Sequence, residues 1–187
     1  MVKKVRAEWK KPEFWRNLFL YFWVFSLVGH IGEIGWANIG NWVGFRQTPA
    51  STIPLFAIAV PYGLGAIALR LLLYPSVKKK KINLVTIFVL GALITTAIEF
   101  VCAALVVLFA GHPLFWDYSD RPLNLWGFVC LGNSLAFGVG SVVALKWIFP
   151  YAEKWLERLR ARYLNIAFWI LFIGYILSQI WIRIIKS

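Results

Sequence analysis

Residues 82–110 read INLVTIFVLGALITTAIEFVCAALVVLFA, an apolar run interrupted by a single charged side chain, Glu99. About 20 predominantly apolar residues are enough for a helix to cross the hydrocarbon core of a bilayer. The run therefore predicts a transmembrane helix that carries Glu99 deep within the membrane. A charged side chain near mid-membrane costs at least ~2.5–3.5 kcal/mol, so it normally faces a protein interior, a partner or water. Glu99 is accordingly the first candidate functional residue.

The composition of the whole chain agrees with a membrane protein. Apolar residues make up 60% of the 187 residues and aromatic residues 18%, and the mean hydropathy is +0.70. These values exclude an ordinary soluble domain. The predicted fold is all-α, a polytopic helical membrane protein with one membrane domain over residues 1–187. Five spans are predicted at about 17–39, 54–74, 82–110, 126–149 and 164–185, with an interfacial helix at about 150–163.

The net charge of +12 is explained by which loops carry the basic residues. With five spans, 16 of the 20 lysines and arginines fall on one side, among them Lys78 to Lys81. The positive-inside rule then places the N-terminus in the cytoplasm and the C-terminus outside. We expect a multi-pass protein of a bacterial or archaeal inner membrane, whose surroundings are the lipid bilayer, and no nucleic-acid partner. Lys78 to Lys81 mark topology, or alternatively contact anionic lipid.

Two stretches of the sequence resemble each other. Residues 62–66 read YGLGA and residues 137–141 read FGVGS, and an aromatic-proline pair follows each at the same spacing, Tyr74-Pro75 and Phe149-Pro150. A span with one acid precedes each block, Glu33 in the first case and Glu99 in the second. The pattern predicts two helical hairpins of the same orientation plus one extra helix. The alternative is simple helix packing, in which the glycines only let backbones approach closely.

The polar residues of the predicted spans converge on the outer half of the bundle. His30 and Glu33 are three residues apart and share a helix face. Together with Glu99 they are a weak candidate for a metal site, the alternative being hydrogen bonding within the bundle, and no metal or cofactor is predicted. The candidate binding residues of the spans are His30, Glu33, Tyr62, Glu99 and Asn133.

The loop before the fourth span is the most distinctive segment, and residues 115–131 read FWDYSDRPLNLWGFVCL. Asp117 is expected to cap a turn, and Trp116 to anchor the loop at the membrane interface. Tyr118 and Asn124 complete the polar side chains that this loop adds to the candidate site. A loop folded back as a lid over the bundle is the structure that we expect.

At these residues the chain resembles the ABC-transporter type IV family of membrane proteins, also called CmpB-like. The resemblance covers most of residues 18–160 and leaves the last helix without a clear counterpart. It is carried by residues 116–119 (WDYS), 122–125 (PLNL), Gly127, 130–131 (CL) and Ser134, and by 29–33 (GHIGE), 95–99 (TTAIE), 61–63 (PYG) and 65–66 (GA). The loop 41–53 departs from the family pattern.

The resemblance implies a small transporter-like subunit, a permease, with its polar site in the outer half of the bundle. No Gly-x-x-x-x-Gly-Lys-Ser/Thr loop occurs in the sequence, so a separate ATPase subunit is expected, docked near residues 150–163. The small size also suggests a homodimer.

Two alternatives stay open. One is an outer-leaflet lipid-binding protein or membrane enzyme that uses Glu33, Glu99 and Asp117. The other is an assembly subunit whose polar residues only hold helices together. An enzyme is the less favoured outcome because no nucleophile has an evident base partner.

Overall fold

Helices form most of this chain in its computed structural model, which describes the backbone of residues 11–42, 59–113 and 116–186, and the side chains of 11–35, 59–113 and 116–177. The helices are α1 (Pro12–Trp42), α2 (Val60–Leu72), α3 (Tyr74–Lys78), α4 (Leu84–Ala110), α5 (Leu131–Val143), α6 (Phe149–Arg158) and α7 (Ala161–Lys186). A π-helical segment, Ala144–Ile148, joins α5 to α6 without a break. The all-α fold is confirmed.

Three helical segments of the described residues are long and apolar enough to cross a membrane. They are Pro12–Gly35, Leu84–Ala110 and Leu131–Arg158, and two shorter apolar helices cover Val60–Leu72 and Ala161–Leu177. The protein is therefore a helical membrane protein. Five complete spans remain a prediction, since residues 54–58 of the second predicted span lie outside the described residues.

The fourth predicted span begins later in the structure than in the sequence prediction. Residues 124–130 form a hairpin of two short antiparallel strands, β1 (Asn124–Leu125) and β2 (Val129–Cys130), and α5 starts only at Leu131. Trp126 and Gly127 have φ angles of 55° and 71°, which a right-handed helix cannot accommodate. Residues 126–130 therefore belong to the preceding loop.

The predicted interfacial segment 150–163 divides between two helices. Helix α6 ends at Arg158 because Leu159 is extended, with ψ of 136°, and α7 starts at Ala161. Helix α6 follows α5 and the π-helical segment without a break, so it is not a separate interfacial helix.

Two residues that flank helix α4 determine where it begins and where it ends. The Asn83 side chain accepts a 2.8 Å hydrogen bond from the Thr86 amide and so caps the first turn. At the other end, Gly111 adopts φ of 79° and stops the helix. The 27 residues between them are long enough to cross the membrane, and they hold Glu99 in place.

Helices α1 and α2 pack as one pair, and α4 and α5 as another. A Cβ atom on Gly63 would collide with Ser26 and Phe22 of α1, and one on Gly138 would lie 2.6 Å from the Phe88 ring of α4. Both glycines are therefore needed for the close approach. By contrast, a Cβ atom on Gly140 would meet nothing within 4 Å.

The tightest packing lies at the end of the bundle that carries Lys78 to Lys81, which we call the basic end. Tyr74, Ile87, Leu145 and Phe149 are all buried there. The rings of Tyr74 and Phe149 meet edge to face with centroids 5.6 Å apart. The opposite end is covered by residues 116–130, which we call the cap.

Candidate functional site

Glu99 lies inside the bundle beneath the cap, with only 5% of its surface exposed. Its Oε1 atom accepts a 2.8 Å hydrogen bond from Asn133 Nδ2 and a 3.2 Å hydrogen bond from the Tyr118 hydroxyl. Asn133 Nδ2 also donates to the Tyr118 hydroxyl over 2.9 Å. Three sequence-predicted residues from α4, α5 and the cap thus meet in one network.

The other carboxylate oxygen of Glu99 is buried without a hydrogen-bond partner among the described residues. The Thr96 hydroxyl oxygen, one helical turn earlier on α4, is also buried without a hydrogen-bond partner among the described residues. Burying an ionised carboxylate without a compensating partner is costly. This site therefore has the chemistry to hold a proton, a cation or another hydrogen-bond donor.

Asn124 holds the cap in shape. Its Nδ2 atom donates to the backbone oxygens of Ser119 and Arg121 over 3.1 Å and 2.8 Å, and its Oδ1 atom accepts from the Gly127 amide over 3.0 Å. Every hydrogen-bonding group of this exposed side chain serves the backbone of the loop. Asn124 therefore shapes the cap, and its place among the candidate binding residues stays a prediction.

Asp117 and Trp116 also bind within the cap. Asp117 Oδ1 accepts hydrogen bonds from the Ser119 amide over 2.9 Å and from the Ser119 hydroxyl over 2.5 Å, and these bonds hold the pKa of Asp117 below its usual value. Trp116 Nε1 donates to the Phe128 oxygen over 3.0 Å. Asp117 is exposed and stays ionised, so the turn-capping role predicted for it fits the geometry.

The cap is anchored to α4 by aromatic contacts. The rings of Trp126 and Phe128 lie 5.6 Å and 5.4 Å from the ring of Phe100. Because Phe100 follows Glu99 directly, these contacts fix the cap next to the carboxylate. The Tyr118 amide donates to the Gly127 oxygen over 2.8 Å, which ties the tyrosine to the hairpin.

A second acid lies near this network. The Tyr62 hydroxyl donates to Glu33 Oε1 over 3.2 Å, and the ring of Tyr62 packs edge to face on Phe137 at 5.8 Å. Burial and the Glu99 charge raise the pKa of the Tyr118 hydroxyl, and Tyr62 and Glu33 add to this effect. Glu33 and Tyr62 are therefore within electrostatic range of the Glu99 network, although Glu33 itself is exposed.

His30 does not complete a metal site with the two acids. It is buried on α1, at 4% exposure. Among the residues that the structure describes, no group of three or more His, Cys, Asp or Glu side chains is placed to hold a metal ion. The weak metal candidate of His30, Glu33 and Glu99 lacks the required geometry.

A comparison with protein families identifies the chain's relatives. The sequence model of the family described as "Putative ABC-transporter type IV" matches residues 20–182. The chain belongs to this family. The match extends beyond residue 160, so the last helix does have a counterpart in the family, contrary to the sequence-based expectation. No curated protein and no solved structure matches the chain.

This member of the ABC-transporter type IV family also has a polar cluster at the basic end, which the sequence analysis missed. Glu153 Oε1 lies 3.1 Å from Arg70 Nη2, and Glu153 Oε2 lies 2.8 Å from Lys78 Nζ. The Tyr74 hydroxyl donates to the same Oε2 atom over 2.9 Å. Arg70 also lies over the Tyr74 ring, 4.5 Å from its centroid.

A sequence signal for this cluster exists. Arg70, Tyr74 and Lys78 are spaced four residues apart, which places them on one helical face. Such a stripe of donors suits a carboxylate, and Glu153 in α6 supplies it. The cluster joins α2 and α3 to α6 at the basic end of this ABC-transporter type IV protein.

Proposed function

We propose that this protein is the membrane subunit of a transporter and that its substrate or coupling ion binds at Glu99, in the outer half of the bundle. One observation carries the proposal: Glu99 is buried at 5% exposure and has one carboxylate oxygen without a partner among the described residues. Intramembrane acids of this kind mark ion and substrate pathways. Membership of the ABC-transporter type IV family supports a transport role.

The proposal includes an orientation in a bacterial or archaeal inner membrane. The basic end faces the cytoplasm, the N-terminus is cytoplasmic, the C-terminus is outside, and the chain crosses five times. The distribution of charge supports this, since Arg70, Lys78 to Lys81 and the basic residues of α6 cluster at one end. Glu99 and the cap are then reached from outside.

We also propose that the bundle is built from two repeats, α1 with α2 and α4 with α5, with α7 added. Tyr62 packs on Phe137 and Tyr74 packs on Phe149, and these are the residues at equivalent positions of the two repeated blocks. Equivalent residues touch only near the axis that relates two copies, so the two pairs support a pseudo-two-fold axis along the bundle.

The helices that carry the acids support the same repeat. Phe22 and Phe88 each lie 11 residues before the acid of their own helix. Phe22 packs where a Cβ atom on Gly63 would be, and Phe88 packs where one on Gly138 would be. The same aromatic-on-glycine contact thus occurs in both hairpins, which supports the proposal that Glu33 is the counterpart of Glu99.

A separate ATPase subunit is the proposed source of energy. We place its docking surface on α6, because α6 presents Trp155 at 55% exposure at the basic end. Glu153, in the same helix, bonds to Arg70 and Tyr74. A displacement of α6 by an ATPase would therefore be transmitted to α2 and α3. A homodimer that encloses the pathway is part of the same proposal.

The experiment is a mild-detergent pull-down of the tagged protein from its native host, read by quantitative mass spectrometry. The proposal predicts stoichiometric recovery of an ATPase. Trp155→Ala should reduce the recovery, whereas Trp126→Ala, which alters a more exposed tryptophan of the cap, should not. Recovery of the wild-type protein without any ATPase would contradict the permease proposal.

The alternative of an assembly subunit is favoured by one observation. The Glu99 network joins α4, α5 and the cap, as a purely structural polar contact would. The enzyme alternative has less support, because Asp117 binds Ser119 in an exposed turn rather than joining Glu99.

A further inference from the structure

We infer that the Glu99 site takes an organic cation with a primary ammonium group. This inference rests on the proposed function, because it treats the site as a place where a ligand binds. Its starting point is the pair of buried oxygens on α4 that have no partner among the described residues, Glu99 Oε2 and Thr96 Oγ1.

The charge of the site calls for a positive ligand. Glu33 and Glu99 are both acids, and the side chains bonded to them, Tyr62, Tyr118 and Asn133, are neutral donors. Two basic side chains of the described residues, Arg70 and Lys78, pair with Glu153 at the basic end and not with Glu99. A cation bound near Glu99 would compensate a buried charge that the neutral side chains bonded to it, Tyr118 and Asn133, do not compensate.

The two unpartnered oxygens indicate which cation fits. An ammonium group has three N–H donors, and Glu99 Oε2 and Thr96 Oγ1 are two acceptors on one face of α4. No hydrogen bond joins these two oxygens, so a proton on Glu99 would leave the Thr96 oxygen unsatisfied. An ammonium group has enough N–H donors to satisfy both oxygens.

Metal ions fit the site less well. Zn²⁺ is usually held by four ligands and Ca²⁺ by six to eight oxygens. The described residues contain no group of three or more His, Cys, Asp or Glu side chains at metal-binding distance. The one buried carboxylate and its neighbouring hydroxyl suit a hydrogen-bonding cation better than a coordinated one.

The aromatic side chains favour a cation with an apolar substituent. The two side chains that bond to the acids through hydroxyl groups, Tyr62 and Tyr118, are aromatic, and Phe137 packs against Tyr62. Aromatic faces attract ammonium cations when water is excluded. Aromatic surroundings of this kind favour an alkylammonium ion over a hydrated Na⁺ ion.

The test measures how n-butylammonium chloride shifts the thermal unfolding of the purified protein in detergent. Two further probes separate the features of this ligand: n-butanol has the alkyl chain without the charge, and NaCl has a cation without the alkyl chain. Saturable stabilisation by n-butylammonium alone is expected. Glu99→Gln should weaken the binding about 10- to 100-fold, since a charge-assisted hydrogen bond contributes roughly 1.5–3 kcal/mol. Thr96→Val should weaken it about 2- to 10-fold, as one neutral hydrogen bond is lost.

Thr95→Val is the matched control, because the Thr95 hydroxyl already donates to the Gly91 oxygen over 2.8 Å. Its binding should match the wild type. Three results would overturn the inference. They are stabilisation by NaCl equal to that by n-butylammonium, binding of n-butylammonium by Glu99→Gln equal to that by the wild type, and no saturable binding by the wild type. These failures are distinguishable from failure of the proposed function, which is decided by recovery of the ATPase and does not use the probe.

Discussion

The hydroxyl of Tyr118, in the cap, donates a 3.2 Å hydrogen bond to Glu99 Oε1, in α4. This single contact connects the only acid of a long apolar helix to the loop that covers it. Because Asn133 bonds to both groups, the three side chains form a closed network. Whether Glu99 is ionised or bound to a ligand is therefore expected to influence how firmly the cap is held.

Tyr118→Phe should loosen the cap without unfolding the bundle. The substitution removes one hydrogen bond to the carboxylate, which contributes roughly 1.5–3 kcal/mol when the acceptor is charged. Faster hydrogen exchange of the amides of residues 116–130 is the expected result. Tyr163→Phe, at an exposed position in α7, is the control. Unchanged exchange in the cap of Tyr118→Phe would show that the bond to Glu99 does not hold the loop.

Gly127→Ala should destabilise the protein more than substitution of a glycine that has open space around it. Gly127 has φ of 71°, and a Cβ atom there would lie 2.7 Å from Asp117 Oδ1. A side chain in this left-handed region costs roughly 1–2 kcal/mol before the collision is counted. Gly132→Ala, in α5 with nothing within 4 Å of the added atom, should leave the melting temperature unchanged or higher. Equal melting temperatures for the two variants would contradict the geometry of the cap.

Glu153→Gln should weaken the basic end. Glu153 accepts from Arg70, Tyr74 and Lys78, and its loss leaves two cations without their carboxylate. We expect a loss of roughly 1–3 kcal/mol in the free energy of unfolding, discounted because the side chains of Arg70 and Glu153 are 25% and 22% exposed. Denaturant unfolding measures it, with Glu157→Gln, an exposed acid of the same helix, as the control. A double-mutant cycle with Arg70→Gln that gives no coupling energy would disprove the ion pair.

Much of the fold could be predicted from the sequence because apolar runs have a clear length requirement. The prediction of a span over 82–110 agrees closely with α4, whose ends are set by Asn83 and Gly111. The candidate site residues Glu99, Tyr118 and Asn133 were each recognisable as polar groups in or beside an apolar segment. Their assembly into one network depends on how the cap folds, which length and hydropathy do not specify.

Two features depended on information that a local pattern lacks. The hairpin at 124–130 results from positive φ angles at Trp126 and Gly127, and a tryptophan gives no sign of that conformation. The pairing of Glu153 with Arg70 joins residues 83 positions apart, so it is decided by how α6 packs on α2 and not by local sequence.

The most direct measurement of the central claim is the ATPase turnover of the complex isolated from the native host and reconstituted in liposomes, with Glu99→Gln compared to the wild type. Glutamine keeps an acceptor for Tyr118 and Asn133 but removes the charge and the proton-binding site. If Glu99 binds the substrate or coupling ion, the variant complex assembles normally and its turnover falls by about 10-fold or more, as expected for loss of a charge-assisted contact. Turnover equal to that of the wild type would show that Glu99 only holds the helices and the cap together.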